Sequence, residues 1–68
     1  MITHLSDSTL QRQLWLKEAG RCLLDYAPPG AIMSVEQARA LMARFDAGYI
    51  AADAAEAVQA ATPWRDNR

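Results

Sequence analysis

Little in this 68-residue sequence offers a covalent or metal-borne route to stability or catalysis. One cysteine, Cys22, cannot close an intrachain disulfide, and beside a single histidine, His4, it cannot assemble a zinc site. The expectation is therefore a protein with no metal and no cofactor. Neither sign of charge is in excess, with seven basic residues against eight acidic ones and a net charge of −1. Nucleic-acid binders draw much of their affinity from neutralised phosphates and carry a basic surplus, so nucleic acid is disfavoured as a partner. No apolar run approaches the roughly 20 residues that a membrane span needs. Residues 1–7, Met1 to Asp7, lack the basic start and apolar centre of a signal peptide. Together with the lone thiol, this sets the expectation of a cytoplasmic protein.

What is present is apolar and helical. The hydrophobic fraction is 51%, too high for a disordered chain, and much of it is alanine, which favours helix but fills little volume. A chain this short buries only about 60% of the surface its unfolded form exposes. Without disulfides or metal, the remaining routes to stability are efficient helix packing and oligomerisation.

Residues 1–6 read as a tail. Ser8-Thr9-Leu10-Gln11 matches a capping box, with Asp7 adding negative charge at the positive end of the dipole. A first helix is predicted over 8–26, stopped by Pro28-Pro29-Gly30. Ser34-Val35-Glu36-Gln37 is a second capping box, with Met33 placed to act as a hydrophobic staple. It opens a helix over 35–47 in which Val35, Ala38, Leu41, Met42 and Phe45 form one apolar stripe, with Glu36, Gln37, Arg39 and Arg44 on other faces. Gly48 invites a C-cap, and an alanine-rich helix follows over 51–61, closed by Thr62-Pro63. Glycine is costly inside a helix, which favours a break at Gly48 over a bend. Residues 63–68 read as a polar tail, and no strand pattern is visible. The class is all-α, one domain over 1–68, a small helical hairpin or three-helix domain.

The first helix has apolar residues on two sides. At 100° per residue, Trp15, Leu16, Ala19, Cys22, Leu23 and Tyr26 share one sector, while Leu10, Leu14 and Leu24 lie nearly opposite among Gln13, Lys17, Arg21 and Asp25. The second helix can cover one side, but the alanine-rich third has little bulk for the other. Completion by a homodimer is expected, with Leu10, Leu14 and Leu24 as the self-association residues.

No enzyme is expected. A nucleophilic Cys22 would need a nearby base, yet His4 is 18 positions away and Cys22 falls in the apolar sector. Asp53 and Glu56 share a helix face but are surrounded by alanine, with nothing to position a substrate. Asp46 and Gly48 alone do not make a calcium loop. Helix, glycine turn and helix over 35–61 raise the alternative of a small helix-turn-helix-like DNA-binding regulator. Its would-be recognition helix carries Asp53, Glu56 and Gln59 but no basic residue.

Trp, Tyr and Arg dominate binding hot spots, which makes Arg12, Trp15, Tyr26, Tyr49 and Trp64 the candidate partner-binding residues. The segment Leu14-Trp15-Leu16-Lys17-Glu18-Ala19-Gly20-Arg21-Cys22-Leu23-Leu24, the chain length and the alanine-rich remainder resemble small dimeric helical host-takeover proteins of temperate phages, the quorum-sensing anti-activators. What that resemblance implies is binding to a bacterial transcription activator and blocking of its DNA contact. The expected function is thus that of a non-enzymatic protein-binding modulator.

Overall fold

The computed structural model describes residues 7–66. In chain order the elements are α1 (Asp7–Leu24), β1 (Ala31–Ile32), α2 (Val35–Asp46), α3 (Ala51–Ala61) and β2 (Arg65–Asp66). Three helices carry the fold, as the periodicity indicates. No described helix is long and apolar enough to cross a membrane. Ser8 lies inside α1 rather than capping it, a correction to the expected start, and residues 1–6 lie outside the described ones.

At its other end α1 stops two residues before the expected Tyr26. The backbone N–H groups of Asp25, Tyr26 and Ala27 donate three residues back, to Cys22, Leu23 and Leu24, at 3.2, 2.9 and 3.1 Å. The prolines impose this tightening, since the residue before a proline is pushed out of the helical region. Ala31 N–H then donates to the Pro28 carbonyl at 3.0 Å, with Gly30 at φ +80°. Proline second and a positive-φ glycine third make this a type II turn.

That turn delivers Ala31–Ile32 to an antiparallel pairing, Ala31 opposite Asp66 and Ile32 opposite Arg65. The expected polar tail is therefore corrected: residues 65–66 are half of a small ribbon. Two-residue strands are too short to show alternation, which is why no strand was legible.

Ser34 begins α2 as the sequence indicates. Its Oγ accepts from Gln37 N–H at 3.1 Å, and Gln37 Oε1 accepts from Ser34 N–H at 3.0 Å, completing the capping box. The same hydroxyl donates to the Pro63 carbonyl at 2.9 Å, tying the start of α2 to the segment after α3. Gly48 breaks the chain. It adopts φ +87°, its N–H donates to Phe45 C=O at 3.0 Å, and Tyr49 N–H donates to Arg44 C=O at 3.1 Å. These are the two bonds of a Schellman motif, and a left-handed residue cannot continue the helix.

The core consists of Ala19 and Leu23 from α1, Leu41 from α2, and Ala54, Ala55 and Val58 from α3. Two expectations are overturned here. The main neighbour of α1 is α3, not α2. Alanine supplies little bulk, but it lets the two backbones draw close, so low volume recruits the helix instead of disqualifying it. The apolar stripe of α2 is also only partly its buried face: Leu41 enters the core, but the centre of the buried face is shifted towards Gln37. Gln37 is fully buried, whereas Val35 is 63% and Met42 40% exposed. The capping box folds the Gln37 side chain back onto Ser34, which is itself tied to Pro63, and the Gln37–Leu41 edge faces inward. The Gln37 Nε2 is buried with no hydrogen-bond partner.

Ser34→Ala removes the cap and the bond to Pro63 together. A loss of about 1–2 kcal/mol is expected, lowering Tm by about 4–8 °C for each kcal/mol. Thermal unfolding followed by circular dichroism checks it, and an unchanged Tm would show that neither bond contributes.

Candidate protein-binding surface

Three of the five candidate binding residues converge at one end of the molecule. Arg12 and Trp15, one helical turn apart on α1, face the corner between α2 and α3. The Trp15 indole packs edge-on against Phe45, with ring centroids 5.2 Å apart at 65°. Its Nε1–H donates to the Tyr49 carbonyl at 2.9 Å. The Arg12 guanidinium lies 5.7 Å from the Phe45 ring centre, and its Nη2 pairs with Asp46 Oδ1 at 3.2 Å. Tyr49 in turn lies under the Arg44 guanidinium at 5.1 Å, and Arg44 Nη1 donates to its hydroxyl at 3.2 Å.

This corner is built by the Schellman turn. The positive-φ Gly48 projects Tyr49 back over the last turn of α2, where Arg44 meets it. The aromatic and arginine groups therefore act first as an internal clamp between α1 and the α2–α3 corner. The Arg12–Asp46 pair is solvent-exposed and contributes no more than about 1 kcal/mol. Sequence reasoning missed Phe45, Arg44 and Asp46 as members of this cluster. From the sequence Phe45 reads as part of a core stripe, Arg44 meets Tyr49 only through the turn, and Asp46 meets Arg12 only once α1 has docked.

Tyr26 and Trp64 lie elsewhere. Tyr26, past the end of α1, is 45% exposed and outside the apolar sector where helical winding put it. It is roughly 20 Å from Arg12 at 1.5 Å of rise per residue. Trp64 is half-buried, packs against the core and lines a shallow cavity of about 230 Å³ with Pro28, Pro29, Gly30, Ala31, Arg65 and Asp66. It serves as a lid over the open end of the helical layer, held there by the ribbon.

Leu10, Leu14 and Leu24 remain 45%, 58% and 51% exposed, on the side of α1 turned away from the core. Cys22 is a free thiol packed against the core, its Sγ 3.8 Å from Glu18 Oε2. His4 lies outside the described residues. Among those described, no group of three or more His, Cys, Asp or Glu is arranged to hold a metal. Scans against protein-family models and searches of curated proteins and of solved structures return no match, so no relative lends this chain a function.

Two substitutions separate clamp from lid. Trp15→Phe keeps the ring contact but deletes the bond to Tyr49, and should cost about 1 kcal/mol by denaturant titration. Trp64→Ala should cost about 2 kcal/mol, below the range for a fully buried tryptophan. A Trp64→Ala protein that melts with the wild type would mean the indole is free to serve a partner alone.

Proposed function

We propose that this chain is a non-enzymatic modulator that binds another protein. The observation that carries the proposal is the amount of large apolar surface left exposed on a domain with a very small core: Val35, Met42, Ile50 and Tyr26 as well as the leucine ridge of Leu10, Leu14 and Leu24. Exposed apolar surface beyond what a small domain ordinarily shows marks interaction sites. Pairing of two copies through this ridge accounts for its position opposite the core, and closed two-fold dimers are the commonest assembly. The likeness of the first helix to phage anti-activators supports a bacterial transcription activator as target and inhibition as the outcome. The DNA-binding alternative fares worse, because α3 carries Asp53 and Glu56 and no basic residue, and would repel phosphate.

A tagged pull-down from bacterial lysate at moderate and high salt tests this reading. One protein retained stoichiometrically at high salt is expected, and recovery of nucleic acid alone at moderate salt would overturn it. Leu14→Asp should shift the sedimentation mass from dimer to monomer at micromolar concentration while helicity persists. A wild-type monomer would remove the dimer from the proposal.

A further inference from the structure

On the other shoulder of α1, facing α2, lies a cavity of about 190 Å³ lined by Leu16, Gly20, Met33, Ala38, Leu41 and Met42. It continues past Gly20 and Met33 towards Leu14 and Leu24. The groove exists because α2 turns Gln37 inward, leaving Ala38 and Met42 exposed beside α1.

Gly20 is the informative residue. Glycine in mid-helix is unfavourable, and this one needs no special backbone angle, since the positive-φ glycines are Gly30 and Gly48. The fold has room for a side chain there: a Cβ on Gly20 would meet only the Met33 Cε, at 3.5 Å, an ordinary contact. The chain itself gives no reason for glycine at this point, whereas a partner side chain that enters above it and uses the space a Cβ would take does.

The charges along the groove specify that partner. Lys17 and Arg21 stand on the α1 bank, and Arg39 flanks Met42 and Val35 one turn away on α2. The acidic residue lining the groove, Glu18, is forked by Arg21 at 3.0 and 3.2 Å. Among the described residues neither Lys17 nor Arg39 has an ion-pair partner.

We propose that the groove between α1 and α2 receives an amphipathic helix of the target protein, an apolar side chain entering above Gly20 and flanking carboxylates meeting Lys17 and Arg39. This is helix-in-groove recognition. It rests on the protein-binding reading and adds the chemistry of the partner.

The test uses two labelled amphipathic peptides of about 18 residues sharing one leucine stripe, one flanked by glutamates and one by lysines, read by fluorescence anisotropy. The glutamate peptide should bind about tenfold more tightly, with the gap closing at high salt. Gly20→Ala should raise Tm by several degrees yet weaken that binding about fivefold or more, opposite signs that a structural role would not produce. Lys17→Glu with Arg39→Glu should invert the peptide preference. Equal binding of the two peptides, or undiminished binding by Gly20→Ala, overturns the proposal. So does a change in self-association on Gly20→Ala, which would make a second copy the occupant. If the pulled-down partner binds wild type and both variants alike, the groove assignment falls and the broader reading stands. Capture of no protein by the wild type removes both.

Discussion

The close approach of α1 and α3 is the constraint to which the rest of the molecule adjusts. Ala54 and Ala55 stand against Ala19 and Leu23, and residues this small let two helices meet with little between them. The resulting core is thin, and only Leu23, Leu41 and Val58 bring real volume to it. A core of this size leaves α1 covered on one side only. The leucines on its far side stay in water, and the edges of the layer must be closed by half-buried aromatics.

Closure at the two ends follows different chemistry. At the α2–α3 corner the Schellman turn at Gly48 brings Tyr49 under Arg44 and presents its carbonyl to Trp15, so one backbone reversal organises the whole aromatic cluster. At the other end the work is done by Ser34, whose hydroxyl accepts from Gln37 and donates to Pro63, with the ribbon and Trp64 beside it. Burying Gln37 there leaves its Nε2 unpaired, a cost of about 1–3 kcal/mol in a small domain. The rotation of α2 that comes with it opens the groove beside Gly20.

The outer surface is divided by chemistry as well as by shape. The α3 face is alanine and carboxylate, whereas α1 shows leucine with Lys17 beside the Arg21–Glu18 pair. Exposed apolar groups attended by basic ones suit an acidic amphipathic partner better than they suit nucleic acid, where the apolar groups would have nothing to meet.

Much of the helical layout was readable in order. Capping boxes, prolines and glycines are local signals, and Ser34, Pro28-Pro29 and Gly48 each acted where they stand, since the hydrogen bonds they control span three to five residues. The exposure of Leu10, Leu14 and Leu24 was readable too, because helical winding alone sets them opposite Ala19 and Leu23. Tertiary structure decided how far the buried face of α2 extends, because apolar count included Val35 and Met42 while the packed helix buries Gln37 beside Leu41 and leaves those two in water. It also decided that α3 packs centrally, since the value of alanine lies in the distance it permits and not in the area it brings. The pairing of residues 31–32 with 65–66, and the docking of Arg12 and Trp15 on Phe45 and Tyr49, join positions thirty or more apart. No local pattern encodes such contacts; they form only once the helices have docked.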